Sequence, residues 1–120
     1  MMTEDFVKPR INGSMLSNYR GRQVCVLGIG KQVDSNGTSF ILSTSDNQDI
    51  KVIMQEPLNE YVSGLTEVHG QVDPRNQIIC QNYINFPKEV SDSFDMNLYN
   101  EAIGLMSRLS EHYITGVPEQ

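Results

Sequence analysis

The stretch QVCVLGIGKQV, residues 23–33, decides how the first part of this chain folds. Its apolar residues alternate, which is typical of a β-strand. One face carries the odd-numbered apolar residues Cys25, Leu27, Ile29 and Val33. Val24 and Val26 add apolar side chains to the other face near the start, while Gly28 and Gly30 mark a bulge, a bend or a close backbone approach. A long strand broken by glycine can curl and pair with neighbours at both ends, as closure of a small barrel requires.

Four shorter runs of strand-forming residues follow: Ser39–Thr44, Ile50–Met54, Leu65–Val72 and Gln77–Phe86. Asn36-Gly37 predicts a tight hairpin turn because both residues tolerate positive φ, and residues 73–76 predict a second turn. Residues 57–64 suit a short helix or an irregular crossover. This pattern predicts an all-β fold with a C-terminal α-helix, in which the strands form a five-stranded OB-fold (oligonucleotide/oligosaccharide-binding) barrel. An SH3-like barrel or a small sandwich is the alternative.

The last of these strands alternates clearly. Ile78, Cys80, Ile84 and Phe86 are expected on one face, with Gln81, Tyr83 and Asn85 on the other. Phe40 and Phe86 are predicted to lie in the core, and Tyr83 fits either environment.

The hydrophobic period changes to that of a helix after Pro87. Asp95 is a suitable N-cap, and Phe94, one residue before it, is placed to pack against Tyr99. Apolar side chains then fill an arc of roughly 160° at 100° per residue: Leu98, Tyr99, Ala102, Ile103, Leu105, Met106, Leu109 and Tyr113. The polar back is predicted to carry Asn100, Gly104, Ser107 and Glu111.

This arc is wider than the roughly 100° that a surface helix usually turns towards its own domain. The helix either caps its own barrel or pairs with helices of other chains. The second reading is favoured because each large apolar side chain left in water forfeits about 1.5–3 kcal/mol. The eight arc residues are therefore predicted to form a subunit interface. The predicted organisation is an N-terminal arm with a short helical turn at 1–22, a barrel at 23–90, an assembly helix at 91–115 and a flexible tail at 116–120.

Charge is unevenly distributed along the 120 residues, whose net charge is −6. Residues 1–33 carry five Lys/Arg against two Asp/Glu, a net +3, and the rest of the chain carries −9. Weak contact with DNA is therefore expected, if anywhere, at Arg10, Arg20, Arg22 and Lys31, although ordinary solubilising charge is the simpler explanation. No signal peptide or membrane span is evident, so a soluble intracellular protein with Cys25 and Cys80 as reduced core thiols is expected.

Catalytic and metal-binding patterns are weak. His69 and His112 lie in different predicted elements, neither with a Cys or carboxylate at a familiar metal spacing, and the two cysteines form no Cys-x-x-Cys. Gly28-Ile29-Gly30 precedes no helix and lacks a third glycine, so it is not a dinucleotide loop. Asp46 and Asp49 supply too few ligands for a calcium loop. The sequence predicts no enzyme activity, no cofactor and no metal site.

Several segments carry a family resemblance, in chain order: Arg10-Ile11-Asn12, Val24-Cys25, Phe40-Ile41-Leu42-Ser43, Glu56-Pro57-Leu58, and Phe94-Asp95 followed by Leu98-Tyr99-Asn100-Glu101-Ala102. Together they resemble the smallest subunit of replication protein A, the eukaryotic single-stranded DNA-binding heterotrimer. The last segment is the most specific. The polar turns and the residues after Leu109 depart from the family pattern.

The resemblance implies a non-catalytic nuclear subunit that serves DNA replication, repair and recombination. Its helix would bundle with the large and middle subunits, which would hold most of the DNA. Two alternatives remain open: the small OB subunit of a telomere-capping trimer, and an independent single-stranded nucleic-acid-binding module. Without its partners, the uncovered helix of an isolated chain could pair with a second copy, and a dimer would then be a by-product of the missing partners.

Overall fold

Six strands form one sheet in the part of the chain that this computed structural model describes, residues 8–116, with side chains described through Leu109. The strands are β1 (Arg10–Ile11), β2 (Gln23–Lys31), β3 (Ser39–Thr44), β4 (Asp49–Met54), β5 (Gly64–Val72) and β6 (Ile78–Asn85). The helices are a 3₁₀ helix at Gly13–Tyr19, α1 at Lys88–Ser93 and α2 at Met96–Gly116. Residues 1–7 of the predicted arm, residues 117–120 of the predicted tail and the Tyr113 side chain lie outside the described residues.

The sheet closes on itself because β2 uses both of its edges. The strand order is β1-β2-β3-β4-β6-β5, and β5 returns to pair with β2 along residues 23–30. On its other edge, β2 pairs first with β1 and then, from Gly28, with β3. A Cβ on Gly28 would collide with the Ser43 carbonyl oxygen, so only glycine permits this approach. The predicted five-stranded OB barrel is confirmed, with β2 to β6 as its strands.

The hydrophobic core fills the barrel and is lined by one face of each strand. Phe40 is fully buried there, as predicted, with Val24, Val26 and Val68 around it. Cys80 belongs to this core. Cys25 is also a buried free thiol, as predicted, but it lies on the face of β2 opposite Val24 and Val26 and outside this core cluster.

The alternation predicted for the last strand is also wrong beyond Cys80. Gly70 pairs with Cys80 and His69 pairs with Asn82, so Gln81 is an extra residue in β6. A bulge of this kind exchanges the two faces of a strand. Tyr83 therefore packs against the core, while Ile84 is exposed and Phe86 is only half-buried.

The segments that connect the strands described in this paragraph are short turns or irregular backbone. Residues 34–37 form the predicted turn, with Gly37 alone of the Asn-Gly pair at positive φ. The 73–76 turn is confirmed, because the Asp73 N–H donates to the Gln77 carbonyl and the Asn76 N–H donates to the Asp73 carbonyl. The crossover before β5 has no helix, and it contributes the buried Val62.

α2 begins where the sequence predicts. The Leu98 N–H donates to Asp95 Oδ1 at 3.0 Å, which makes Asp95 the N-cap. The Phe94 and Tyr99 rings lie 5.7 Å apart between centroids, which confirms the predicted packing at the helix start. α1 was not predicted as a separate element: its last residues fall within 91–115, which was assigned to one assembly helix, whereas α2 begins only at Met96. No helix in residues 8–116 is both long enough and apolar enough to span a membrane.

Candidate assembly surface on the C-terminal helix

One face of α2 is attached to the barrel; we call it the inner face, and it consists of Tyr99, Asn100 and Ile103. Asn100 Oδ1 accepts hydrogen bonds from Asn12 Nδ2 at 2.9 Å and from Ser45 Oγ at 2.8 Å. Both donors belong to buried residues, so Asn100 satisfies polar groups that would otherwise lack a partner. Ile103 is completely buried. The first two turns of α2 therefore have a defined orientation on the barrel.

The neighbouring face of α2 is uncovered in this chain. We call it the outer stripe, and it consists of Leu98, Ala102, Leu105, Met106 and Leu109. The relative exposures are 62% for Leu98, 49% for Leu105, 45% for Met106 and 49% for Leu109, and Ala102 is exposed as well. At 100° per residue these side chains cover about 100° of the helix surface. Such a stripe matches the width that a helix normally buries against a partner.

The predicted 160° arc is therefore divided between two environments. Ile103 and Tyr99 face their own barrel, so Ile103 is not available to a second chain. Placing Asn100 on the polar back is wrong, because its side chain contacts the barrel. Hydrophobic periodicity marks only apolar positions, and no local signal in the sequence distinguishes Asn100 from a solvent-exposed asparagine.

The four cations predicted for weak DNA contact do not form one patch. Arg20 Nε donates to Asn76, and the Arg22 guanidinium lies 4.7 Å from the centre of the Tyr19 ring. Lys31 pairs with Asp49 at 3.2 Å, at the opposite end of β2. Arg10 is aligned with Cys25, and Arg22 precedes the strand, so at least six residues of β2, about 20 Å at a rise of about 3.3 Å per residue, separate Lys31 from these arginines.

The outer face of β3 and β4 offers no aromatic surface. Their one aromatic residue, Phe40, is in the core. Single-stranded nucleic acid is commonly held by bases stacked on aromatic rings beside a basic groove. These two strands lack the first of those features.

A polar cluster lies on the outer face of β2 and β5, close to the start of α2. Glu67 Oε2 lies 2.7 Å from His69 Nε2 and 3.2 Å from Cys25 Sγ, and Arg10 approaches both the thiol and the carboxylate. Burial, with the hydrogen bond and charge of Glu67, raises the pKa of Cys25 to about 12. Burial also acts to raise the pKa of Glu67, but the hydrogen bonds from Cys25 and His69 and the charge of Arg10 outweigh it and lower that pKa.

In the sequence neither histidine has a Cys or carboxylate at metal spacing, yet the fold places both kinds of side chain beside His69. Side chains two residues apart share a strand face, so Glu67 and His69 lie together, and the pairing of β2 with β5 sets Cys25 directly opposite His69. The three potential ligand atoms lie within 4.8 Å of one another. The spacing of residues along the sequence does not show which distant strands pair, so this cluster could not be recognised from spacing.

Comparison with known proteins gives a family and two similar folds. The family model described as Replication factor A protein 3 matches residues 1–113. A chain in the structure of U. maydis replication protein A bound to ssDNA is similar with a TM-score of 0.71 and 20% identity, over 87% of this chain and 93% of that one. The telomere capping protein Ten1 from Saccharomyces pombe is similar with a TM-score of 0.65 and 10% identity, over 84% of this chain and 98% of that one. At these identities the two structures show a shared fold.

Proposed function

The chain belongs to the Replication factor A protein 3 family, and from that premise we propose that it is a non-catalytic structural subunit of the replication protein A heterotrimer. Its outer stripe would pack against helices of the large and middle subunits. The trimer would bind single-stranded DNA in the nucleus, in replication, repair and recombination, and the two larger subunits would make most of the DNA contacts.

The observation that carries this proposal is the outer stripe itself. Four large apolar side chains stay roughly half exposed or more on a helix whose adjacent face is already attached to the barrel. Each contributes about 1.5–3 kcal/mol when it is fully buried. A partner helix would cover these side chains without disturbing the inner face.

The barrel surface supports the proposal that the two larger subunits make most of the DNA contacts. The four predicted cations are separated or already paired, and β3 and β4 present no aromatic ring to solvent. Non-specific binding of single strands needs both a continuous basic track and stacking surfaces. DNA binding is therefore assigned mainly to the partner subunits.

Co-expression with the large and middle subunits tests the assembly role. The double variant Leu105→Asp, Leu109→Asp would place two carboxylates in the apolar interface, and we expect no trimer on size-exclusion chromatography. A matched control, Asn97→Asp with Arg108→Asp, adds carboxylates at exposed positions of the same helix outside the outer stripe and should leave the trimer intact. Circular dichroism would check that both double variants fold. Recovery of a normal trimer with the first variant would refute the proposal.

A telomere-capping trimer is the competing assembly, and likeness to the fold of Ten1 is compatible with it. Purification of the tagged chain from its native cells, followed by mass spectrometry of the partner chains, separates the two. Recovery of replication protein A subunits supports the first assignment. Recovery of telomere-capping subunits alone would replace it.

An independent DNA-binding role makes a different prediction. If the barrel bound DNA by itself, the free chain would bind an oligonucleotide tightly, with an affinity that falls steeply as salt rises. We expect instead a flat titration with a fluorescent poly-dT oligonucleotide, both for the native chain and for the Arg20→Gln, Arg22→Gln variant.

A further inference from the structure

The cluster of Cys25, Glu67 and His69 contains the three side-chain types that bind zinc most often: a thiol, a carboxylate and an imidazole. Cys25 and His69 are cross-strand partners on β2 and β5, and Glu67 lies two residues before His69 on the same face. All three are held by barrel strands rather than by loops. Rigid elements of this kind fix ligand positions.

The distances within the cluster suit a tetrahedral ion. At zinc–ligand bond lengths of about 2.0–2.3 Å, neighbouring ligand atoms in a tetrahedron lie about 3.3–3.6 Å apart. The observed separations are 2.7 Å from Glu67 Oε2 to His69 Nε2, 3.2 Å from Oε2 to Cys25 Sγ and 3.9 Å from Sγ to Nε2. These distances lie on both sides of the required range, and each would have to change by about 0.6 Å or less for the ion to bind.

A fourth polar group faces the same region from α2. The Tyr99 hydroxyl is the one buried side-chain polar atom among the described residues that lacks a hydrogen-bond partner of good geometry. Among the neighbouring side chains Arg10 acts on it most strongly, as a nearby donor of poor geometry and as a charge, and the charges of Cys25 and Glu67 also reach it. A buried hydroxyl without a partner usually meets a water or an ion. Tyr99 would therefore approach the ion directly or bind a water on it.

Two cations border the cluster and must be accommodated. Arg10 contacts Cys25 Sγ at 3.4 Å and Glu67 Oε2 at 3.5 Å and also acts on the Tyr99 hydroxyl. The contact with Glu67 is long, sulfur is a weak acceptor, and the Arg10 side chain is partly exposed, so it can give these contacts up. Lys8 Nζ lies 3.4 Å from His69 Nδ1. Binding through Nε2 moves the ring proton to Nδ1, so Lys8 turns towards solvent.

We propose that Cys25, Glu67 and His69 form a binding site for a zinc-type divalent cation beneath the first turn of α2. The ion takes the place of the protons that Glu67 Oε2 shares with the thiol and the imidazole, and the thiol proton passes to solvent. With ligands on two barrel strands and Tyr99 above, the bound ion strengthens the attachment of the inner face. This site does not depend on the proposed assembly role.

Cobalt(II) titration of the tag-free full chain tests the site, because a cysteine–cobalt bond gives a near-ultraviolet charge-transfer band and tetrahedral cobalt gives strong visible bands. We expect both bands and their loss when zinc is added. Cys25→Ser should abolish the charge-transfer band, and His69→Gln and Glu67→Gln should each weaken binding by about tenfold or more. Cys80→Ala, which removes the other cysteine, should leave the spectrum unchanged.

Thermal unfolding gives a second readout. Zinc should raise the Tm of the native chain, an increase that EDTA reverses and that His69→Gln removes. Because Arg10 repels a dication, Arg10→Gln should bind zinc more tightly than the native chain. The proposal is overturned if cobalt gives no charge-transfer band, or if Cys25→Ser and His69→Gln bind cobalt as the native chain does while circular dichroism shows them folded.

Discussion

The inner face and the outer stripe of α2 lie side by side on one helix, yet they differ in how their residues meet the rest of the chain. The inner face combines a fully buried isoleucine with an asparagine that accepts two hydrogen bonds. The outer stripe is apolar without any polar anchor. The difference shows that the helix is oriented by its own domain, and the exposed outer stripe is the surface that the proposed partner helices would cover.

Substitution of one apolar residue on each face tests this difference most strongly. Ile103→Ala should lower the free energy of unfolding of the free chain by about 2–5 kcal/mol, because a cavity is left at a fully buried position. Leu109→Ala should change it by no more than about 0.5 kcal/mol, because half of that side chain is already in water. Urea denaturation followed by circular dichroism measures both.

In the assembled protein, the relative size of the effects of the two substitutions should be reversed. Leu109→Ala is expected to weaken association with the partner subunits, whereas Ile103→Ala should act on the chain alone. Equal effects of the two substitutions on the free chain would mean that the inner and outer faces are not distinct.

Local signals in the sequence predict the five barrel strands and the C-terminal helix. Strict alternation predicts the strands, and the pairing of Asp95 with a preceding phenylalanine predicts the start of α2. Most of the features that were missed depend on pairing between distant segments, and the short helix α1 is the exception. The two-residue parallel strand β1 and the extra residue Gln81 in β6 are examples, since neither leaves a mark in nearby sequence.

The same distinction between local signals and long-range contacts applies to the candidate site. The width of the apolar arc predicts that α2 has more apolar surface than one contact needs, and exposed Leu98, Leu105 and Leu109 agree with that. Which part of the arc faces the barrel could not be predicted, because Asn100 finds its donors in Asn12 and Ser45, far away in sequence. The cluster of Cys25, Glu67 and His69 was missed because it arises only from strand register.

Removal of the polar anchor should have a smaller effect than removal of Ile103. Asn100→Ala leaves the buried side chains of Asn12 and Ser45 without their acceptor, which should cost about 1–3 kcal/mol in urea denaturation. Asn100→Asp keeps an oxygen at the same position and is the matched control, with a smaller loss. If Asn100→Ala proved as stable as the native chain, the apolar contact alone would orient α2.

The smallest effect on stability is expected from Asp46, which lies in the turn next to the residues that donate to Asn100. Asp46 follows Ser45, and its carboxylate accepts hydrogen bonds from the Gly13 and Ser14 N–H groups, next to Asn12. Burial acts to raise the pKa of Asp46, but these bonds and one from Thr44 outweigh it and lower that pKa. The stabilisation is therefore present above the ordinary aspartate pKa of about 3.9 and is lost as pH falls through the lower folded value.

Acid should accordingly act on the inner face and not on the outer stripe, which contains no titratable side chain. We expect Asp46→Asn to be less stable than the native chain at pH 7 in urea denaturation, and the two to converge as pH falls below about 4, where the native carboxylate also loses its charge. Asp92→Asn, which changes a carboxylate at the surface beside Lys88, should instead stay close to the native curve at pH 7. A constant gap between Asp46→Asn and the native chain down to the lowest pH would show that charge on Asp46 does not hold this turn, and that Asn100 rests on neutral hydrogen bonds alone.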